Sequence, residues 1–220
     1  MCQDIVTKDP DLVLLTGDYF TGEANMDGLL VKALAPLRPI NYKCFACLGN
    51  HDMETDEVLA RTIKELKELG IKLLRNESVV YDKITRVGPI QIVGFDYIWH
   101  GNKDRFDRLR NILNVNQCPQ ECNNRRIVLL HDPGGFKAFN GDENLVVFSG
   151  HTHGGHCGII SCGIQWTFFY QALKMPDNGL WKKGNNKLYI HRGQGSRALY
   201  GNYVLRCGVP TEQSLMHIEW

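Results

Sequence analysis

No apolar run in the sequence approaches the ~18–20 residues that a membrane span needs, so no transmembrane helix is expected. Charge of one sign is not in excess, with 25 Lys plus Arg against 24 Asp plus Glu. Nucleic-acid binding driven by bulk electrostatics is therefore not expected, although a local basic patch would be compatible with this balance. Internal repeats and low-complexity tracts are missing. The opening "MCQDIVTKDPDLVLL" lacks a basic start followed by an apolar core, so no secretory leader is read there and a cytoplasmic location is expected. The eight cysteines in 220 residues do not suggest a disulfide scaffold. Cys118/Cys122 and Cys157/Cys162 lack zinc-ribbon spacing. Cys44 and Cys47 lie in "YKCFACLGN", whose strand-like alternation points the two thiols to opposite faces. Buried, reduced thiols are the expectation.

What is present fits one domain covering residues 1–220, with 43% hydrophobic residues to build a core. Short β-branched runs recur: "LVLLTGD", "YKCFACLGN", "IQIVGFD", "RIVLLHD" and "NLVVFSG". Continuous apolar strands of this kind are buried on both faces, as in a layered α/β sheet. "METDEVLARTIKELKELG" predicts a helix capped by Thr55 and ended by Gly70. "NKDRFDRLRNIL" predicts a second, with Phe106, Leu109, Ile112 and Leu113 facing inward. "KLYIHRG" and "QSLMHIEW" read as further strands.

Polar residues cluster where these strands end. Asp18, Asn50, His51, His131, His151 and His153 each follow an apolar run. In open α/β sheets ligands collect outside the carboxyl ends of strands, so these residues should converge. The segment "SGHTHGGH" is the densest, with three of the chain's eight histidines in six residues. Imidazoles together with a carboxylate and an amide suit a borderline divalent ion such as manganese, iron or zinc. On its own the H-x-H pair of His151 and His153 could equally be a polar loop.

Taken together and in order, "TGD" (Asp18), "GNHD" (Asn50, His51, Asp52), "LLHDP" (His131) and "GHTHGG" (His151, His153) resemble the calcineurin-like metallophosphoesterase family. "PDLVLLTGD" and "SGHTHGG" are most similar to the subgroup containing bacterial membrane-associated phosphoesterases and a UDP-diacylglucosamine hydrolase. The resemblance implies a four-layer α-β-β-α sandwich with two mixed sheets. It also implies hydrolysis of a phosphoester, by lineage a diester or pyrophosphate of a small-molecule or lipid-linked substrate. Asp18 would bridge two metal ions. Asn50, His131 and His151 would complete the second ion's site, and His153 would bind the first. His51 would protonate the leaving oxygen, with Asp52 orienting it. Two ions ~3.5–4 Å apart would bind phosphoryl oxygens and activate water.

The family's opening block, a strand ending in D-x-H that supplies two ligands to the first ion, has no match upstream of Asp18. The chain is expected to begin late relative to the family, with any membrane anchor lost along with that start. The first site would then keep only Asp18 and His153, and catalysis would be impaired. Asp4, Asp9 and Asp11 are not placed to substitute. The alternative to catalysis is a weakly active or inactive scaffold of the same fold that binds proteins. Retention of His51, Asp52 and every second-site ligand argues against it. Other residues carry weaker expectations. His156 stands where the subgroup has Gln, and it reads as a surface loop residue or a further ligand. Tyr19, Phe20 and Trp99 could wall the pocket or be core. Asp96 could support a ligand, and Arg192 and Arg197 could reach phosphate.

Overall fold

The computed structural model describes residues 2–19, 27–84, 86–195, 197–199 and 203–220, with backbone alone for 197–199 and 203–205. Its strands are β1 (Val13–Leu15), β2 (Cys44–Ala46), β3 (Lys72–Leu73), β4 (Glu77–Tyr81), β5 (Ile90–Gly94), β6 (Arg126–Leu129), β7 (Leu145–Ser149), β8 (Gly179–Lys183), β9 (Asn186–Ile190), β10 (Arg197–Leu199) and β11 (Tyr203–Leu205). Its helices are α1 (Cys2–Lys8), α2 (Leu29–Leu34), α3 (Asp56–Leu69), α4 (Arg105–Val115) and α5 (Phe168–Leu173).

Two sheets dominate. One has the order β1-β2-β3, and the other β4-β5-β6-β7-β9-β8. A separate antiparallel pair joins β10 to β11. The six-stranded sheet is mixed: β5, β6, β7 and β9 run parallel, while β4 and β8 run antiparallel at its edges. The smaller sheet was expected to be mixed as well, but its three strands are parallel. Each of its connections carries a helix, which permits parallel pairing.

Three buried clusters define the layers. Cys44, Ala46, Leu66 and Leu69 pack the small sheet against α1, α2 and α3. Phe45, Cys47, Leu74, Ile92, Ile127 and Leu129 fill the space between the sheets. Val93, Leu109, Val128, Phe136, Val147 and Leu188 pack the large sheet against α4. The four-layer sandwich follows from this order. Cys44 and Cys47 fall in different clusters, on opposite faces as the alternation predicts. Cys2, Cys44, Cys47 and Cys122 are buried free thiols, whereas Cys162 and Cys207 are exposed.

The helix over 56–69 forms as expected. Thr55 Oγ1 accepts from the Val58 N–H at 3.2 Å, and Gly70 closes the helix in the left-handed region (φ 72°). In α4, Leu109 and Leu113 face inward but Phe106 is exposed, contrary to expectation. Its neighbour Arg105 turns inward instead, to reach the Asp132 carboxylate. "QSLMHIEW" forms no strand: residues 213–220 have no ladder pairing, and Ile218 packs against the core between the sheets. Asp9, expected on the helix, follows its last residue and pairs with Lys43 Nζ at 2.6 Å. No helix among the described residues is long and apolar enough to cross a membrane.

Candidate metal centre

The carboxyl ends of the parallel strands carry the polar residues. Asp18 follows β1, Asn50 and His51 follow β2, His131 follows β6, and His151 follows β7. The two sheets therefore contribute from opposite sides of one rim. Ligand atoms of Asp18, His131 and His151 lie within 4.8 Å of one another. Asp18 Oδ2 is 3.1 Å from His131 Nε2. His131 Nε2 is 3.2 Å from His151 Nδ1. The Thr16 carbonyl lies 2.5 Å from His131 Nδ1 and can only accept, so Nδ1 carries a proton and Nε2 faces Asp18. A partner of this kind on the remote nitrogen is how metal-binding imidazoles are oriented.

Backbone strain concentrates at the same place. Asp18 (φ 59°), His151 (φ 68°) and His153 (φ 50°) all occupy the left-handed region, which costs a non-glycine residue energy and persists where its surroundings enforce it. Gly49 allows the close approach of the two loops, because a Cβ there would overlap the Asp18 carboxylate. Asp18 Oδ1 in turn accepts the His51 backbone N–H at 2.9 Å.

Asp52 does not orient His51, as had been expected. Its carboxylate is fully buried and accepts backbone N–H groups from Asp18 (2.7 Å), Gly49 (2.8 Å) and Tyr19 (2.8 Å). It ties the Asp18 loop to the GNHD loop. The carboxylate that meets the His51 ring is Glu54, with Oε1 2.5 Å from Nδ1. Glu54 lies three positions after His51, and the single 3-10 turn at His51–Met53 brings its carboxylate to the ring nitrogen. Burial pushes the Asp52 carboxyl up to about 6, against the three donors. Asp52→Asn would turn an amide N–H toward the Tyr19 N–H, leaving a buried donor unpaired. The expected cost is about 1–3 kcal/mol, which lowers the melting midpoint by roughly 3–10 °C in a thermal scan.

Electrostatics separate the imidazoles. Burial opposes charge on His131, but its hydrogen bond to Asp18 and the Asp18 charge outweigh this and raise its pKa. Burial likewise opposes charge on Asp18, yet His131 holds its carboxyl below the usual range. Burial, then the charge of His131, lowers His151 to about 4. Burial, then His156, lowers His153 to about 4. The unfolded chain protonates these two rings near pH 6.5, whereas the folded metal-free chain keeps them neutral. The unfolded state therefore binds more protons between pH 6.5 and 4. Stability is fully expressed above pH 6.5 and falls as pH drops toward 4. After discounting for partial exposure of His153, these two rings contribute a loss of about 2–4 kcal/mol, which the raised Asp52 and His131 partly offset. Denaturation midpoints of metal-free protein between pH 7 and 4 should therefore show a smaller net fall, which shrinks further on His151→Asn.

Two buried polar atoms here have no hydrogen-bond partner among the described residues: Asn50 Oδ1 and His153 Nδ1. Native proteins seldom leave such atoms unpaired, and both can donate a lone pair to a cation. The residues present thus fit a divalent metal. His153 stands outside the Asp18–His131–His151 group, and its ring stacks on His156 (centroids 4.8 Å apart, 16° between planes). His156 is buried and is not a surface residue, because that stack and Phe169 enclose it.

Several neighbours have other partners. Tyr19 Oη lies 3.0 Å from the Cys47 carbonyl, and the residue packs into the core. Asp96 pairs with Arg75 at 2.9 Å. Arg192 pairs with Glu212 at 3.2 Å. Phe20 and the Arg197 side chain lie outside the described residues. Sequence reasoning missed Glu54, although a carboxylate three residues after a histidine at a turn was the available signal. It also missed His100, Arg105 and the Asp132 side chain, which meet only in three dimensions.

With this geometry in place, comparison with known sequences defines the class. The profile of the calcineurin-like phosphoesterase family matches residues 1–155, and the chain belongs to that family. It is a metal-dependent phosphoester hydrolase of α/β fold. Similar proteins include phosphodiesterase YaeI of Escherichia coli (strain K12), 30% identical over 202 residues that cover 89% of this chain and 67% of the relative. An uncharacterized metallophosphoesterase of Aquifex aeolicus (strain VF5) is 29% identical over 148 residues, covering 67% and 52% respectively.

Proposed function

We propose that the 220 residues act as one domain that hydrolyses a phosphodiester or pyrophosphate bond in a small-molecule or lipid-linked ester. Asp18, Asn50, His131 and His151 hold a divalent ion, with manganese, iron and zinc suited to this mixture of imidazole and oxygen donors. His153 is offered to a second ion beside Asp18. The observation that carries the reading is the meeting of Asp18, His131 and His151 ligand atoms within 4.8 Å at the joint of the two sheets. When bound, the ion supplies Lewis acidity for phosphoryl oxygens and lowers the pKa of water.

The chain's own residues do the rest. Thr16 and Asp18 hold the His131 ring, while Asp52 fixes the Asp18 loop against the GNHD loop. His51 is placed by its backbone bond to Asp18, and its ring by Glu54 at Nδ1. With Nδ1–H directed at a carboxylate, Nε2 is the position that delivers a proton to the departing oxygen. The similarity to a protein named phosphodiesterase supports a diester substrate.

The test is manganese titration of the 220-residue chain together with turnover of bis-p-nitrophenyl phosphate. About one weakly held ion and slow manganese-dependent hydrolysis, abolished by chelation, are expected. Neither binding nor turnover would leave the scaffold reading standing.

A further inference from the structure

A group of rings after β5 lies beside the centre and takes no part in the chemistry above. Tyr97 is buried, and its ring meets His131 (6.2 Å), His151 (5.8 Å), His100 (6.3 Å) and Trp99 (5.0 Å). Outward from it stand Trp99, 50% exposed, and His100, whose side chain is 56% exposed. The His100 ring centroid is 6.4 Å from that of His151.

His100 is unusual because both its nitrogens are committed. Nδ1 lies 2.7 Å from an Arg105 guanidinium nitrogen, and Nε2 lies 3.3 Å from Asp132 Oδ2. Guanidinium has no acceptor, so Nδ1 accepts and the proton sits on Nε2, facing the carboxylate. Arg105 also donates to that same Asp132 oxygen, and both side chains are more than nine-tenths buried. A ring tied at both nitrogens does not turn, so what it offers outward is a carbon edge and a π face. His100, Asp132 and His151 also bring ligand atoms within 4.8 Å, but the Arg105 charge on Asp132 opposes a cation there.

We propose that Trp99 and His100 form an aromatic lip that stacks against a planar ring carried by the substrate beside the reacting phosphate. This rests on the function proposed above. Flat rings gain from offset or edge-on contact with indole and imidazole, whereas an aliphatic group gains little from their faces. The lip makes the enzyme selective for aromatic esters, whether the ring is a simple aryl group or a nucleobase.

The experiment measures binding, by calorimetry, to the whole chain supplied with manganese. The probes are inorganic phosphate, methylphosphonate, phenylphosphonate and thymidine 5′-monophosphate. Phenylphosphonate should bind about fivefold to tenfold tighter than methylphosphonate. Trp99→Ala should bring that ratio near one and leave the methylphosphonate Kd unchanged, while Trp99→Phe should keep most of the preference. An equal gain for the nucleotide assigns the ring to a nucleobase, and a gain confined to phenylphosphonate assigns it to simple aryl esters. Equal phenyl and methyl affinities in the native chain, with phosphate still bound, would overturn the lip alone. A preference that survives Trp99→Ala would overturn it too. Loss of all binding, inorganic phosphate included, overturns the lip together with the function on which it rests.

Discussion

Asp18→Asn should leave no turnover above the buffer control and no stoichiometric manganese. The substitution preserves shape, and its carbonyl oxygen can still accept the His51 N–H that Asp18 Oδ1 accepts at 2.9 Å. What it removes is charge at the point where both sheets deliver ligands. Oδ2, 3.1 Å from His131 Nε2, becomes an amide nitrogen with no lone pair for a cation. Removal of a residue that merely supports a ligand commonly costs ~10–100-fold in metal affinity or activity, and a ligand itself should cost more. Elemental analysis and hydrolysis assays on the purified variant check this, with circular dichroism to confirm the fold. An ion retained at native stoichiometry would refute the assignment of Asp18.

The second large effect is on the proton rather than the metal. His51→Gln should lower kcat by about 10²–10⁴ and leave manganese content unchanged. The ring touches none of the three clustered ligands by side chain; its link to Asp18 is through backbone, which glutamine also provides. The loss should be greatest for esters whose leaving group is a poor anion, because only those need a proton in the transition state. Glu54→Gln should reproduce the trend at smaller size, since Glu54 acts through the ring it holds. A leaving-group series with native and variant chains resolves the two. Equal losses across the series would remove His51 from the role of acid.

Much of this was legible in one dimension. Four of the five apolar runs led into a residue of the site and became the parallel strands β1, β2, β6 and β7, while the fifth became β5, whose following Asp96 pairs with Arg75. The helix over 56–69 declared both its ends through Thr55 and Gly70. The opposite orientation of Cys44 and Cys47 followed from an odd spacing on a period-two strand. These features are local: a cap, a turn or an alternation depends on residues a few positions apart.

What failed was of another kind. Phe106 had the right spacing to face inward, but the demand of buried Asp132 for a counter-charge drew Arg105 in and turned Phe106 out. Asp52, next to His51 in sequence, serves Asp18, Gly49 and Tyr19, and Glu54 took the neighbour's expected task. His156 read as a surface loop residue or a further ligand, and the His153 ring stacked on it takes it out of the surface.

The sequence by itself thus determined the family, the central strands β1, β2, β5, β6, β7 and β9 and the helices α3 and α4, because those follow from periodicity and from motifs read in order. Only the tertiary structure decided which carboxylate serves which histidine, and that Tyr97 and His100 border the centre with Trp99 packed on Tyr97. Apart from His51 and Glu54, those pairings join residues dozens of positions apart, and burial forces each charge to find a partner that spacing along the chain does not name.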